Sequence, residues 1–571
     1  MATLNPYGKL DEAEQERLIA LRKARRRITI IALSSIVLIA IVIATVVGVT
    51  QTNKNNNKSE TRTNSASSTI KAICNTTLYP DSCYTTLSPL LKSGNVNPQD
   101  LFKLSVQVAI DELATASKNF AENGAKQLNI TDQPTLAAIA SCQELFSLAL
   151  DHLNNSLSIK DVKLLEAFDD LMTWLSSAGT YQQTCIDDLE GASSGISRFA
   201  NDNFKNSNEY TSNSLAILSS FGESIDALGA IGRRRRLMSL DGPGWVTSKD
   251  RRLLQSPSSK IKADAVVAKD GSGKYKTIKA ALAAVPEKSK KRFVIYVKKG
   301  VYYENVRVEK KLWNVMMVGD GKGATVVSGS LNVVDGTPTF QSATFAVFGQ
   351  GFIARDMGFR NTAGAAKHQA VALMSTADLS IFYRCTMDAF QDTLYPHSNR
   401  QFYRECDIYG TVDFIFGNSA VVIQNCNILP KKPMLGQQIT ITAQGKIDPN
   451  QNTGISIQNC TILPAANLTG VNTFLGRPWK NYSTTVMFHN VMGSFIDPKG
   501  WLPWVGNSAP NTIFYAEFQN LGPGAVTKKR VNWKGLKLNL SATQVKKFTV
   551  GPFLHGDKWI PETGVTYKSG L

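Results

Sequence analysis

The chain has 571 residues, more than one ordinary hydrophobic core accommodates, so two or more domains are expected. It carries 63 Lys and Arg against 45 Asp and Glu, and its formal net charge of +18 indicates an anionic partner. The sequence shows neither a zinc-finger spacing nor an RNP motif, which excludes the common nucleic-acid modules. The remaining candidates are a membrane surface and an acidic polymer.

The N-terminal part carries a membrane signal. Residues 1–27 end in a cluster of arginines, and residues 28–49 form an uncharged, mostly apolar run about long enough to cross a bilayer as a helix. The basic flank predicts that residues 1–27 stay in the cytoplasm and that the rest of the chain is translocated. Because no clean small-x-small cleavage site follows, a retained signal anchor is favoured over a cleaved signal peptide. Residues 50–69 are polar and are interpreted as a linker.

Entry into the secretory pathway has two consequences for the rest of the chain. Cysteines become candidates for disulfide bonds. Asn-x-Ser/Thr sequons become candidates for glycosylation. Such sequons occur at Asn75, Asn129, Asn154, Asn467, Asn481 and Asn539.

Residues 70–228 have the composition of a helical domain. Apolar residues recur at three- and four-residue spacing in residues 101–109 and 145–153, which indicates an antiparallel helical bundle. The region contains no cluster of candidate catalytic residues, which favours an inhibitory, chaperoning or targeting role. Its cysteines, whose pairing the spacing leaves open, are Cys74, Cys83, Cys142 and Cys185.

A basic linker over residues 229–255 follows the bundle. It contains two basic clusters, Arg233–Arg236 and Arg251–Arg252, separated by a Gly/Pro-bearing turn. Exposed basic clusters in a translocated chain are accessible to processing proteases, so both are predicted cleavage sites. A solvated charged linker without processing is the alternative.

Residues 256–571 consist of short β-rich segments separated by Gly, Asn or Asp. The clearest segments are 293–297, 314–318, 343–347 and 454–457. They are nearly continuous apolar runs, as in parallel strands that are buried on both faces. One helix is predicted at Thr277–Val285, where it would cap the N-terminal end of the β structure.

A repeat defines the predicted β architecture. Cys385, Cys406 and Cys426 recur at steps of 21 and 20 residues within similar aromatic or aliphatic stretches. This period is typical of a solenoid whose every coil adds one strand to a parallel sheet. The sequence therefore predicts a right-handed parallel β-helix.

Two carboxylates follow the same period. Asp392 and Asp413 are 21 residues apart and lie within apolar runs, where an unpaired charge is costly to bury. Residues one coil apart stack at about 4.8 Å, so the two are expected to be near neighbours on one face. Gln369 lies 22 residues before Gln391 and is expected in the same stack one coil earlier.

Several ordered motifs resemble two known families. Residues 364–373, 391–395, 410–417 and 475–479 resemble pectin methylesterases, and the resemblance extends over essentially all of residues 256–571. Residues 74–83, 174–178 and 184–185 resemble the invertase and pectin methylesterase inhibitor domain. The second resemblance implies a four-helix bundle with bridges Cys74–Cys83 and Cys142–Cys185. It also makes a proteinaceous inhibitor of the helical-bundle type a candidate partner.

The first resemblance implies a carboxylic ester hydrolase that acts on methyl-esterified pectin in the cell wall. It implies Asp413 as the nucleophile and Asp392 as the group that protonates departing methanol and then activates water. Gln369 and Gln391 would stabilise the oxyanion, and Arg477 would orient Asp413. The implied substrate-binding residues are Thr339, Gln369, Arg477 and Trp479.

Elementary electrostatics supports this division of roles. A cationic Arg477 should keep Asp413 ionised, whereas a neighbouring negative charge should raise the pKa of Asp392. Cys385 and Cys406, one coil apart, are within the geometric range for a bridge. No metal-ligand spacing occurs, so no metal or organic cofactor is expected.

Two other functions fit parts of the same sequence. A pectin depolymerase is the first, since two neighbouring carboxylates also serve a retaining glycosidase. A calcium-dependent lyase would need a carboxylate cluster and a basic proton acceptor, which this pattern lacks. The second is a binding protein in which the helical bundle is the functional unit and the solenoid is inactive.

Overall fold

The computed structural model describes residues 70–90, 97–159, 166–190, 194–232 and 262–571. The predicted signal anchor at 28–49, the segments around it and both basic clusters of the linker lie outside these residues. Within the described ranges, no helix combines the length and apolarity that a membrane crossing requires.

Long helices form the N-terminal bundle. Capping begins two of them, because the Asn97 side chain accepts a hydrogen bond from the Gln99 N–H and Asp132 accepts one from the Thr135 N–H. The helices pack around buried aromatic rings, with the centroids of Phe146 and Phe204 4.2 Å apart. The helices are α1 Pro80–Leu87, α2 Pro98–Gln127, α3 Gln133–Leu157, α4 Phe168–Glu190 and α5 Ser194–Gly232.

Two disulfides fasten the bundle. Cys74 is bonded to Cys83 and Cys142 to Cys185, the pairs that the inhibitor-domain resemblance implies. The first closes the turn before α1, and the second ties α3 to α4. Both are buried, so they add covalent links inside the packed core.

Three parallel sheets form the second region. The eleven-stranded sheet contains β1 Ala265–Val267, β2 Phe293–Val297, β5 Val315–Gly319, β8 Ile353–Arg355, β11 Ser380–Tyr383, β14 Arg400–Arg404, β17 Ala420–Gln424, β20 Gly454–Gln458, β23 Thr484–Phe488, β25 Phe514–Phe518 and β26 Leu536–Lys537. The seven-stranded sheet contains β4 Val306–Val308, β7 Phe345–Val347, β10 Leu373–Ser375, β13 Leu394–Pro396, β16 Ile415–Gly417, β19 Ile439–Gln444 and β22 Thr473–Gly476. The eight-stranded sheet contains β3 Gly300–Tyr303, β6 Thr325–Gly329, β9 Gly358–Asn361, β12 Thr386–Asp388, β15 Asp407–Gly410, β18 Asn427–Pro430, β21 Thr461–Ile462 and β24 Val491–Met492. From β3 to β25 each strand enters a different sheet from the strand before it, so the chain winds as the predicted parallel β-helix.

The register explains the sequence period. Leu373, Leu394 and Ile415 stack in consecutive coils of the seven-stranded sheet, and all are fully buried. Phe382 and Tyr403 stack in the eleven-stranded sheet with ring centroids 4.8 Å apart. Each coil therefore places similar side chains over those of the previous coil, and these stacked side chains fill the interior of the β-helix.

The cysteines of the β-helix do not form the predicted Cys385–Cys406 bridge. Cys385, Cys406, Cys426 and Cys460 are all buried free thiols. Each of the first three donates its backbone N–H to the sulfur of the cysteine one coil on, at 3.3–3.4 Å. The sulfurs thus repeat along a column instead of turning toward one another in pairs. Burial also raises the pKa of Cys385 and of Cys406, which disfavours the reactive thiolate.

Short helices cover parts of the β-helix. Thr277 caps a one-turn helix, α6 Ile278–Leu282, which lies against β1 and β4 inside the predicted 277–285 segment. Three more follow the last strand: α7 Ala542–Lys546, α8 Val550–Leu554 and α9 Ile560–Thr563. Leu554 of α8 and Ile560 of α9 belong to an apolar cluster with Val422 of the eleven-stranded sheet.

The bundle packs on the outer face of the seven-stranded sheet. Its apolar cluster continues onto the β-helix through Phe340, Met374, Tyr395 and Phe416. These rings and side chains are almost fully buried. The bundle therefore covers the face on which the period places Asp392 and Asp413.

Candidate active site

The two aspartates occupy equivalent positions on adjacent coils. Asp392 precedes β13 and Asp413 precedes β16, and the backbone N–H of Asp392 donates to the carbonyl of Val412 at 3.1 Å. Both residues have left-handed backbone conformations, with φ of 63° and 50°. Such conformations are uncommon outside glycine and concentrate at functional sites. Both are also buried, with exposed fractions of 7% and 5%.

Asp413 is held by charge-assisted hydrogen bonds. Arg477 donates from Nη2 to Oδ2 at 2.6 Å and from Nε to Oδ1 at 2.9 Å. The Thr440 hydroxyl donates to Oδ1 at 2.5 Å and accepts the Asp413 backbone N–H at 2.9 Å. This bidentate arrangement fixes the plane of the Asp413 carboxylate. Thr440 was not among the predicted site residues, because a Thr inside a β-branched strand has no distinguishing signal.

Asp392 experiences a different environment. Its pKa is raised well above the usual range, chiefly by burial and then by the neighbouring charge of Asp413, while Arg477 acts in the opposite direction. The protonated form of Asp392 is therefore favoured where Asp413 is ion-paired. Two identical side chains thus provide one acid and one carboxylate.

The predicted glutamines lie beside this pair. Gln369 and Gln391 face each other across a parallel backbone bridge on adjacent coils. Both line a cavity of about 500 Å³ together with Asp392 and Asp413. Thr339, the remaining predicted polar contact, lines the same cavity from a short 3₁₀ turn. The structure therefore brings all of the predicted polar site residues to one cavity.

Aromatic rings form one wall of the cavity. Trp479 lies 6.2 Å from Phe416 and 6.3 Å from Trp504, measured between ring centroids. Phe416 in turn stacks on Tyr395 at 4.0 Å. Trp501 belongs instead to the core, where it is fully buried and its indole N–H donates to Glu517. The exposed Trp504 ring also covers the Arg477 guanidinium at 4.3 Å.

His368 is exposed at the edge of the site. It lines a separate depression behind Gln391 and Arg477. In the part of the chain that the structure describes, no group of three or more His, Cys, Asp or Glu side chains is arranged to hold a metal ion.

The bundle forms the roof of the cavity. Thr184, Asp187, Asp188 and Glu190, all on α4, line it together with Asp392 and Asp413. Asp188 accepts a hydrogen bond from Ser141 at 2.7 Å, and burial raises its pKa to about 7. None of these acidic residues was among the predicted site residues.

A stripe of hydroxyl side chains on α4 makes polar contacts with the β-helix. Thr184 contacts Nε2 of His397 at 2.7 Å, and Thr180 accepts a hydrogen bond from the Asn418 amide at 2.9 Å. The hydroxyl of Ser177 accepts the backbone N–H of Asn399 at 3.2 Å. The stripe comprises Thr173, Ser177, Thr180 and Thr184, all of them buried. Their spacing of about one helical turn places them on one face of α4.

A parallel β-helix with paired carboxylates, an arginine clamp and an aromatic wall defines a carbohydrate-esterase site. The pectinesterase family profile matches residues 264–557, and the plant invertase/pectin methylesterase inhibitor profile matches residues 68–217. The chain therefore belongs to the pectinesterase family, carboxylic ester hydrolases that remove methyl esters from pectin, and carries an N-terminal inhibitor-type domain.

Named relatives agree with both assignments. The chain is 55% identical to the putative pectinesterase/pectinesterase inhibitor 24 of Arabidopsis thaliana, over 99% of this chain and 100% of that protein. It is 47% identical to pectinesterase 3 of Phaseolus vulgaris, over 89% and 88% of the two chains. The solved structure of pectin methylesterase from carrot superposes with a TM-score of 0.54 at 53% identity. That match covers 99% of the carrot chain and 55% of this one.

Proposed function

We propose that the β-helix hydrolyses the methyl esters of homogalacturonan through a covalent intermediate on Asp413. The Asp413 carboxylate attacks the ester carbonyl carbon, and the resulting tetrahedral intermediate expels the methoxy group. Asp392, protonated beforehand, donates its proton to that group, which leaves as methanol. The ionised Asp392 then takes a proton from water, and the hydroxide attacks the acyl-enzyme to restore Asp413 and release the galacturonate.

The amides of Gln369 and Gln391 supply the remaining element of this reaction. A side-chain amide donates a hydrogen bond without changing protonation state, so it stabilises the oxyanion throughout the cycle. Both glutamines line the cavity that holds the aspartates. Trp479 offers an apolar face to the sugar ring, and Thr339 a hydroxyl at the opposite side of the same cavity.

One observation carries the assignment of roles: Arg477 contacts both oxygens of Asp413. A carboxylate held in this way stays ionised and correctly oriented for attack, while Asp392, whose pKa is raised, retains a proton. Reversing the roles would require protonation of the carboxylate that is paired with the arginine. It would also require ionisation of the carboxylate that burial keeps neutral.

Highly methylated pectin tests the reaction on residues 262–571. This fragment has its own buried core, and the carrot enzyme corresponds to this region alone. We expect methanol release without shortening of the polymer. Asp413→Asn should abolish methanol release. Asp392→Asn should impair the first step and block the second. If some acyl-enzyme still forms in that variant, it should therefore stay trapped. Chain shortening without methanol would support the depolymerase instead.

We further propose that the bundle holds the esterase inactive until the linker is cut. The α4 residues that roof the cavity stand where a polymer would have to lie above Asp392 and Asp413. In this proposal the chain enters the secretory pathway with residues 28–49 as anchor and residues 1–27 in the cytoplasm. A protease then cuts at Arg233–Arg236 or Arg251–Arg252, and the β-helix acts in the cell wall on methyl-esterified pectin.

A cleavage-resistant chain tests this second proposal. Replacing the arginines of both basic clusters by glutamine should give a full-length product in secreted extracts and little methanol release. Restoring either cluster alone shows which one is used. Full activity of the uncut chain would contradict autoinhibition, and a cut that leaves activity unchanged would contradict release of the bundle.

A further inference from the structure

The strongest ionic contact between the bundle and the edge of the catalytic cavity joins Lys480 to Asp187. The ammonium of Lys480 donates to Oδ1 of Asp187 at 2.6 Å, and both side chains are largely shielded from solvent, with exposed fractions of 18% and 12%. Gln183, one turn earlier on α4, donates to the same carboxylate oxygen at 2.9 Å. A carboxylate is thus held in a fixed position beside the cavity.

Lys480 lies beside the aromatic wall of the cavity. It follows Trp479 in the chain, and its ammonium lies 5.2 Å from the centre of that ring. Trp479 lines the cavity of the catalytic aspartates and also the neighbouring cavity, which Lys480 lines. The backbone of Lys480 is fixed by a turn in which its N–H donates to the Ser483 hydroxyl. The ammonium is therefore placed next to the catalytic unit by rigid structure.

The cation has no comparable partner within the β-helix. Arg477 is the other basic residue that lines these two cavities, and it is already ion-paired with Asp413. Asp448 also lines the neighbouring cavity, but its nearest basic neighbour is Lys446 and its carboxylate accepts the Ser212 hydroxyl. Departure of the bundle would consequently remove the counterion of Lys480 while leaving the lysine in place.

We infer that Lys480 is a binding site for the free carboxylate of a de-esterified galacturonate, and that Asp187 occupies this site in the uncut chain. The Asp187 carboxylate stands in for the C6 carboxylate of a uronate unit adjacent to the one under attack. This inference rests on the proposed function, because the anionic unit is the product of the reaction. It specifies that function further by naming the residue that would bind the free acid beside the ester.

The chemistry of the site favours a carboxylate over a methyl ester at this position. An ammonium makes charge-assisted hydrogen bonds to an anion that a neutral ester cannot match. A methyl ester there would also leave the Lys480 charge unpaired next to an aromatic wall, at a desolvation cost. The aromatic ring of Trp479 contributes equally to either form, because it contacts the sugar face and not the carboxyl group.

Binding measurements on residues 262–571 test the inference. All variants carry Asp413→Asn so that esters persist during the titration. The probes are an oligogalacturonate with all carboxylates free and the same oligomer fully methyl-esterified. We expect Lys480→Gln to weaken binding of the free acid roughly tenfold, as for loss of one charge-assisted hydrogen bond, and to leave binding of the ester unchanged. Lys480→Arg should keep most of the affinity. Lys499→Gln, at an exposed lysine outside both cavities, should change neither value.

The outcomes separate this inference from the proposed function. Unchanged binding of the free acid to Lys480→Gln, or equal weakening of both oligomers, would overturn the carboxylate site. Thermal melting of each variant identifies any loss of folding, and Lys480→Arg supplies a second test if Lys480→Gln melts early. Absence of methanol release by the unmodified fragment would refute the esterase mechanism alone, because the binding comparison does not depend on turnover.

Discussion

Arg477 binds Asp413 from the next coil but one, with Nη2 of the arginine 2.6 Å from Oδ2 of the aspartate. The arginine follows β22, whereas the aspartate precedes β16, and β19 lies between these strands. The pair therefore spans the width of the site along the axis of the β-helix. Strand register fixes the positions of both backbones, so the geometry of the ion pair is set by rigid structure.

Arg477→Lys should show whether activity depends on the positive charge alone or also on the two-point contact with Asp413. A lysine keeps the positive charge but cannot hold both oxygens of Asp413 in one plane. We expect kcat for methanol release by residues 262–571 to fall by about 10²-fold, the size typical for loss of one preorganised electrostatic contact. A variant with unchanged kcat would show that the arginine only binds substrate.

Asp392→Asn should lower the activity and raise the stability of the fold. The folded-state pKa of Asp392 is raised above the ordinary value of 3.8, so this residue contributes stability below that value and loses it as pH rises through the folded pKa. At pH 7 the neutral amide should therefore stabilise the fold by about 1 kcal/mol, as is common at functional sites. The gain should vanish near pH 4. Thermal midpoints measured at both pH values check this, and an equal gain at both would contradict it.

The β-helix could be predicted from the sequence because each coil repeats the previous one. The spacing of Cys385, Cys406 and Cys426 gives the period, and the register of β11, β14 and β17 follows it directly. The stacking of Asp392 and Asp413 is a consequence of the same local rule. Roles beyond the stack, such as those of Arg477 and Thr339, came from family resemblance, since the residues are distant in sequence.

The contact between the domains could not be predicted in the same way. An amphipathic pattern shows which face of a helix is apolar, but α4 is buried on almost all sides and has a second, polar face. Thr180 and Thr184 on that face appear in the sequence as ordinary helix residues until their β-helix partners are known. The predicted Cys385–Cys406 bridge failed for a related reason: spacing shows that two sulfurs are near, and not which way each points.

The hydroxyl stripe of α4 should set the affinity of the bundle for the cut β-helix. Thr180→Val keeps the shape of the side chain but leaves the Asn418 amide without its hydroxyl acceptor in a buried interface. We expect the bundle to dissociate roughly tenfold to a hundredfold more readily after cleavage, because an unsatisfied buried group costs about 1–3 kcal/mol. Thr115→Val, at an exposed site on α2, is the matched control. Equal dissociation of the two variants, measured by size-exclusion chromatography, would refute this role.

The four cysteines of the β-helix should titrate as free thiols. The chain has eight cysteines and two disulfides account for four of them, so unfolded protein should react with four equivalents of a thiol reagent without prior reduction. Native protein should react with none, since all four thiols are buried and burial raises the pKa of Cys385, Cys406 and Cys426. Two equivalents after unfolding would instead indicate a Cys385–Cys406 bridge.

Asp188 should make docking of the bundle depend on pH. Its pKa is raised to about 7 by burial, next to the backbone N–H of Phe340 on the β-helix. A raised pKa means that docking is strongest at pH values below the ordinary 3.8 of Asp188, weakens as pH rises from there to about 7, and changes no further above that. His397 affects docking in the opposite direction, because burial lowers its pKa to about 3. Protonation of His397 therefore weakens docking, and this effect is confined to pH values below its ordinary pKa of 6.5.

Asp188→Asn isolates this effect. The amide keeps the size of the side chain and can still accept from Ser141, but it does not ionise. Between pH 4 and 7 the affinity of the bundle for the cut β-helix should decline in the unmodified protein relative to the variant, and above about pH 7.5 the two should change in parallel. Glu122→Gln, at an exposed acid on α2, should decline like the unmodified protein. If the variant and the unmodified protein decline in parallel, another group controls docking in this range.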